Sequence, residues 1–259
     1  MTPGGRYFAL VMALASAAAL AGCQQSGASL DSSGKLNTAS APPVSYEAAA
    51  GLGKKWQADP GDINKGMAYA NALETLGQGK KHLDVYRQLS MAHPENAKLS
   101  GIYGKKLINA GQSGEAIPVL ERVAAAPDAE WRIHSALGSA YDQQGLYEKA
   151  RGEYRKALAG DVQNLTVLNN MGMSLALEGN LKDAENTLRQ ADTLPRSKSE
   201  PRIRQNLALV VGLQGRFDEA SKLASENLPA EQVEANMAYL RKMLAQPNTW
   251  QQISDGGQG

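Results

Sequence analysis

Cysteine is nearly absent from this 259-residue chain, which has Cys23 alone. One thiol cannot close an intrachain disulfide and is too few for a zinc site. Phenylalanine is scarce, at 2 residues, and the 3 histidines (His82, His93 and His134) show no metal spacing. Neither sign of charge dominates, since 27 basic residues face 26 acidic ones and leave a formal net charge of +1. That balance excludes the basic surface of a nucleic-acid binder. No phosphate loop, nucleophile–base pairing or carboxylate dyad stands out from ordinary helix-surface charge. No cofactor is therefore implied, and the chain is not expected to be an enzyme. What the chain does have is abundant alanine and 26 glycines, which suit close contacts between packed helices.

The one apolar run is at the start, "MTPGGRYFALVMALASAAALAGC". Arg6 and the free amine give a short positive region, residues 7–19 are almost wholly apolar, and small residues lead up to Gly22. The run is too short to span a bilayer and has the three-part pattern of a secretory signal, assigned to residues 1–22. Leu20-Ala21-Gly22-Cys23 resembles the bacterial lipobox. Small Ala21 and Gly22 would admit a signal peptidase to the bond before Cys23, whose sulfur then takes a diacylglycerol and whose freed amine takes a third acyl chain. At ~0.8 kcal/mol per buried methylene, two or three chains hold stably where one does not. Gln24 follows instead of an inner-membrane aspartate, so the resemblance implies the periplasmic face of the outer membrane. Loss of Arg6 leaves 26 basic and 26 acidic residues, so lipid and not charge would hold the mature chain there. After the lipidated Cys23, the Ser-, Gly- and Pro-rich stretch to residue 44 reads as a disordered tether.

The rest repeats itself. Glycines at 77, 111, 145, 179 and 215 stand 34, 34, 34 and 36 residues apart, and a 34-residue period is the tetratricopeptide signature. With these glycines as fifteenth residues, position eight is Ala70, Gly104, Gly138, Gly172 and Ala208. Position eleven is Leu73, Leu107, Tyr141, Leu175 and Val211, and position twenty is His82 followed by Ala116, Ala150, Ala184 and Ala220. Small residues at eight and twenty let two antiparallel helices approach, and a glycine turns the chain between them at little cost. The fold class is thus all-α: a tetratricopeptide-repeat solenoid, a right-handed superhelix of helix pairs, over residues 45–244. Repeats start near 63, 97, 131, 165 and 201. A cap helix at 45–59 begins on Ser45, a second cap helix lies at 229–244, and 245–259 reads as a flexible tail, with docking of Trp250 back onto the body as the alternative. His82 reads as the mark of an irregular, partly exposed first repeat.

The first helix of each pair should line a concave groove. At 100° per residue, positions seven, eight and eleven point to the core, and positions two, five, nine, twelve and thirteen lie mostly opposite. The groove candidates are Arg132, Ser135, Ser139, Asp142 and Gln143 in repeat three. Repeat four supplies Thr166, Asn169, Met173, Ala176 and Leu177, and repeat five supplies Arg202, Gln205, Leu209 and Gly212. Lys98, Lys105 and Asn109 extend the face into repeat two. Such a surface, polar at one end and more apolar around Met173, Leu177 and Leu209, suits a peptide or an amphipathic helix. The lysine- and asparagine-based carboxylate clamp of one tetratricopeptide subclass is not matched, because Ser135 and Ser139 stand at two of its positions.

One stretch narrows the reading further. The segment "PRIRQNLALVVGLQGRFDEASKLASENLPAEQVEANMAYLRKML" (201–244), with "LNNMGMSLALEGNLKDAENTLRQA" (168–191) before it, resembles the TadD family, the tetratricopeptide lipoproteins of the Tad/Flp pilus assembly system. The resemblance implies an outer-membrane, lipid-anchored, pilotin-like adaptor that helps a secretin localise and multimerise. Its partners would be a secretin subunit or other Tad pilus assembly proteins, with no nucleic acid involved. Only Cys23 carries over as a residue of defined chemistry. A lipoprotein scaffold for peptidoglycan-processing enzymes or general envelope assembly is the alternative, and it need not contain the 201–244 motifs.

Overall fold

The computed structural model describes residues 29–30, 36–37 and 44–245. Cys23, the signal segment and the tail beyond Ala245 lie outside the described residues. In the stretch read as a tether, Ser29–Leu30 pairs antiparallel with Leu36–Asn37, two residues a side. Everything else that is regular among the described residues is helical. The chain groups into two compact units, the first ending at Ala110 and the second beginning at Gly111. The sequence pattern predicts a single run over 45–244. The division falls between Ala110 and Gly111, at the glycine turn of the second repeat.

The first unit holds α1 (Tyr46–Gln57), α2 (Ile63–Thr75), α3 (Gly79–Ala92) and α4 (Ala97–Asn109). Ser45 caps α1 by accepting the Ala48 N–H. Asp62 and Asn96 cap α2 and α4 in the same way, taking the N–H groups of Lys65 and Leu99. Each cap satisfies a backbone donor that a helix start would otherwise leave open. Trp56 of α1 is buried against Tyr69 of α2, with ring centroids 5.8 Å apart, and its indole N–H donates to the Pro60 carbonyl. His82 differs from expectation: it is buried at 8 % exposure, edge-on to Tyr86 at 6.2 Å. Neither of its ring nitrogens has a hydrogen-bond partner among the described residues. The repeat that carries it is not an open end. Helix α1 packs on α2 and α4 packs on α3, so the position where the other repeats place alanine is enclosed here too.

The second unit holds α5 (Ser113–Ala124), α6 (Trp131–Gln143), α7 (Tyr147–Leu158), α8 (Leu165–Glu178), α9 (Leu181–Thr193), α10 (Pro201–Leu213), α11 (Phe217–Ser225) and α12 (Ala230–Leu244). A 3-10 turn, Pro195–Ser199, joins α9 to α10. The helices pair as α6 with α7, α8 with α9 and α10 with α11, and α12 packs on α11 and α10. The alanines of position twenty, Ala116, Ala150, Ala184 and Ala220, are all at 0 % exposure. A larger side chain at Ala150, Ala184 or Ala220 would push apart the helix pairs α6–α7, α8–α9 and α10–α11. Gly138 and Gly172 explain position eight. A Cβ at Gly138 would stand 2.7 Å from the Tyr154 ring, and one at Gly172 would stand 2.7 Å from Leu188 Cγ.

Among the described residues, the glycines with positive φ are Gly77, Gly111, Gly145, Gly179 and Gly215, and no other residue type adopts it. The turn at Gly145 shows why. The Gly145 N–H donates to the Asp142 carbonyl at 3.0 Å, and the Leu146 N–H reaches back to the Tyr141 carbonyl at 2.9 Å. This is a Schellman closure, which satisfies two orphan carbonyls provided the residue between is left-handed. Gly77, Gly179 and Gly215 repeat the same pair of bonds. The position-eleven residue therefore supplies a core side chain and the acceptor that ends its helix.

Candidate protein-binding face

The first helices of the second unit, α6, α8 and α10, lie side by side, α6 touching α8 and α8 touching α10. Their accessible side chains fall into four rows. Row two is Arg132, Thr166 and Arg202; row six is Asn170 and Asn206, with Ala136 buried behind them; row nine is Ser139, Met173 and Leu209; row thirteen is Gln143, Leu177 and Leu213. The face is graded in chemistry. Guanidiniums stand at the row-two edge, amides lie next, and at the other end Met173, Leu177, Leu209 and Leu213 form an apolar corner.

Three residues expected on this face are instead buried between helices. Ser135, Asn169 and Asp142 are at 6 %, 6 % and 7 % exposure. Asn170 Nδ2 donates to Ser135 Oγ at 3.3 Å, and Asn206 Nδ2 donates to Asn169 Oδ1 at 2.8 Å, so positions five and six tie successive first helices together. Gly212, also expected on the face, is buried under Leu240 of α12. Ala176 and Gln205 are half-buried, and Lys98, Lys105 and Asn109 of α4 are exposed in the first unit. The wheel argument treats a helix as having one buried and one open side. A first helix in a repeat array has a partner in its own pair and neighbouring first helices besides, so positions five and twelve are spent on seams.

Asp142 is the most consequential of the three. Its carboxylate accepts the Tyr154 hydroxyl of α7 at 2.7 Å and the Ser174 hydroxyl of α8 at 2.5 Å, and Ser139 Oγ lies 3.2 Å from the same tyrosine oxygen. Burial pushes the Asp142 carboxyl up to about 7, against the opposing pull of the two hydroxyls and the nearby Arg151 charge. Sequence reasoning missed this centre. Its only signal was Tyr154 and Ser174 falling on helix faces otherwise filled by apolar residues.

On the second helices the seams are ionic. Arg151 bridges Glu148 and, in the next repeat, Glu178. Glu185 of α9 accepts from Arg189, from the Gln214 amide at 2.8 Å and from Arg216 at 2.7 Å; both arginines also pair with Glu219. Burial raises the Glu185 carboxyl, but these donors outweigh it and hold the group below its ordinary value. His134 Nδ1 lies 2.7 Å from Glu153 Oε2, and Lys156 holds the other oxygen. Each of these clusters spends its hydrogen bonds internally, and among the described residues no group of three or more His, Cys, Asp and Glu could hold a metal ion. No described helix is long and apolar enough to cross a membrane.

Paired antiparallel helices, left-handed glycine turns at a 34-residue period and small residues at each helix crossing make this a tetratricopeptide-repeat fold, a class whose usual work is to bind other proteins. The tetratricopeptide-repeat family model matches residues 132–159, the α6–α7 pair. Among solved structures, the chain is similar to MamA from Desulfovibrio magneticus RS-1, with 26 % identity and a TM-score of 0.51 over 58 % of this chain and 85 % of that one. It is also similar to a thermophilic tetratricopeptide protein of Thermus thermophilus, with 20 % identity and a TM-score of 0.57 over 69 % and 98 % of the two chains. A third is PilW, described as a widely conserved type IV pilus biogenesis factor, with 19 % identity and a TM-score of 0.58 over 77 % and 90 %. No curated protein matches the chain.

Proposed function

We propose that this chain is a lipid-anchored adaptor of the outer membrane that assists assembly of a Tad/Flp pilus. Cys23 would hold it to the periplasmic leaflet while the first-helix face of the second unit captures a segment of a secretin subunit or of another assembly protein. The observation that carries the binding half of this reading is the graded face itself. It sets four partly exposed apolar side chains, Met173, Leu177, Leu209 and Leu213, beside a polar edge. An amphipathic segment matches such a surface, because apolar contacts supply the affinity and the polar edge fixes the orientation. The pilus half rests on the resemblance of 201–244 to the TadD lipoproteins. The fold shared with PilW, itself described as a pilus biogenesis factor, is in keeping with it at the level of analogy.

An assembly helper acts before the secretin ring supports itself. Deleting the gene should therefore deplete heat-resistant secretin multimers from outer membranes while secretin transcript persists, and wild-type multimer levels in the deletion strain would reject the role. Re-expression of a folded Met173→Asp, Leu177→Asp, Leu209→Asp variant should not restore the multimers. Restoration would move the contact off this face.

A further inference from the structure

Charge is balanced over the whole chain but not over its first unit. Residues 44–110 hold nine Lys and Arg against six Asp and Glu. Four of those acids are already paired: Asp59 and Asp62 with Lys65, Asp84 with Arg87, and Glu74 with Lys106. Six lysines are left without an ion pair among the described residues, and Glu47 and Glu95 are the remaining acids. Four of the six lie on α1 and α3, as Lys54, Lys55, Lys80 and Lys81, and all four are exposed. The helix period gathers them. On α1 the buried stripe is Ala49, Gly53 and Trp56, and Lys54 and Lys55 stand on the side away from it. On α3, Lys80, Lys81, Asp84, Arg87 and Met91 are all exposed and fall within ~120° of the helix circumference. Both helices pack on α2, and in an array that alternates first and second helices both belong to the second-helix layer. Among the described residues, the two most exposed large apolar side chains are on the same helices, Met91 at 75 % and Tyr46, the first residue of α1, at 67 %.

We propose that the outer face of α1 and α3 rests on an anionic phospholipid surface, with Lys54, Lys55, Lys80 and Lys81 meeting its charge and Tyr46 and Met91 entering the headgroup layer. Single lysines and single apolar side chains spread over two helices suit a fluid surface, whose anions move to meet them. A folded acidic partner would have to set a fixed carboxylate against each. Chain order favours the same surface, because the sequence from Cys23 enters the folded body at α1. A lipid on Cys23 therefore brings this unit to the bilayer, and the proposal rests on the membrane-anchor reading for that approach. A balanced net charge does not hold a chain to a membrane, but an uneven distribution orients one that lipid already holds. Each lysine close to an anionic surface favours residence there about fivefold, and a tether keeps the face at high effective concentration.

The test couples the full chain through Cys23, its only thiol, to a maleimide lipid in nanodiscs, so the tether is present whether or not cells acylate that residue. Methyl NMR then follows the Met91 ε-methyl, with Met67 of α2 as a half-buried reference in the same unit. In phosphatidylglycerol discs that carry a gadolinium-chelate lipid, Met91 should lose several-fold more signal than Met67. The difference should vanish in phosphatidylcholine discs, and also in molar salt, where the Debye length is ~3 Å. It should vanish again in a Lys54→Gln, Lys55→Gln, Lys80→Gln, Lys81→Gln variant, whose exposed amides leave the helices intact. Equal losses at Met91 and Met67 in the anionic discs would overturn the proposal. So would a Met91 loss that persists in neutral discs or in the glutamine variant. A Met91 shift that grows with protein concentration in the absence of discs would assign the face to a second copy and overturn it as well. Mass spectrometry of Cys23 from cells decides the anchor reading separately. An unmodified thiol there rejects the anchor, while the orientation on a coupled lipid stands or falls by the NMR alone.

Discussion

Asp142 and Glu185 are almost equally withdrawn from water, at 7 % and 8 % exposure, and their titrations shift in opposite directions. Asp142 lies in the seam between the third and fourth repeats and meets neutral hydroxyls from Tyr154 and Ser174. Glu185 lies in the seam between the fourth and fifth and meets the guanidiniums of Arg189 and Arg216. Burial disfavours the charge on both. Hydroxyl dipoles do not compensate for it, whereas two cations and an amide do. The array thus joins like repeats by unlike chemistry, and the two seams should respond differently to steric insult, to pH and to salt.

The largest effect comes from striking the repeat both seams share, whose α8 carries Ser174 and whose α9 carries Glu185. Gly172 of α8 has Leu188 in front of it and the Ala184 carbonyl 3.4 Å from the position of a Cβ. Gly172→Leu should destabilise by ~1–3 kcal/mol through overpacking. Lys182→Leu, on the exposed side of α9, should change the melting temperature far less. Equal melting temperatures for the two variants and wild type would contradict this packing.

The hydroxyl seam should weaken as pH rises. A carboxyl at about 7 in the folded chain and near 3.8 when unfolded binds more protons folded than unfolded between those values. Stability from this site therefore falls from about pH 4 to about pH 7, by at most ~1.4 kcal/mol per pH unit, and is level above. Asp142→Asn should remove that slope from urea midpoints measured across the range. Ser174→Ala strips one of the two hydroxyl donors and should cost ~1–3 kcal/mol at pH 7, where the carboxylate is substantially charged. An unchanged slope in Asp142→Asn would place the pH response elsewhere.

The helix pairs were legible because the constraints that make them act at single positions with a fixed period. Only glycine closes the turn at residue 145, and only a small side chain fits at 150 or 172, so these columns survive in one sequence. Of the caps only Ser45 was read from the sequence; Asp62, Asn96 and Asn164, 34 and then 68 residues apart, each accept the third helical N–H and went unread. The first-helix face was half legible. Rows two, nine and thirteen are accessible, but Ser135, Asp142 and Asn169 went to seams, because contact between neighbouring first helices is a property of the array that no single helix encodes. His82 was misread for a related reason: its exposure depends on α1 and α4, which enclose the first repeat from both sides.

The smallest effect tests the ionic seam. The Arg216 side chain is 42 % exposed while the Glu185 side chain it serves is 11 % exposed, so the pair sits at the edge of water. Exposed ion pairs contribute ~0.2–1 kcal/mol, and salt screens them. Arg216→Gln leaves Glu185 its bonds from Arg189 and Gln214, so the loss should stay within that range at low salt and shrink toward nothing in molar sodium chloride. The Ser174→Ala loss should persist in the same salt, because that seam has no mobile ion to substitute for a hydroxyl. The acid limb gives an independent reading. A carboxyl held below its ordinary value contributes stability that is present above the usual glutamate range and is lost as pH falls through the folded value. Arg216→Gln should therefore shallow the acid decline of the urea midpoint below about pH 5, in the sense opposite to the Asp142 slope. If salt leaves the Arg216→Gln difference unchanged, Glu185 and its guanidiniums behave as a fully buried network, and the contrast between the two seams is one of pH alone.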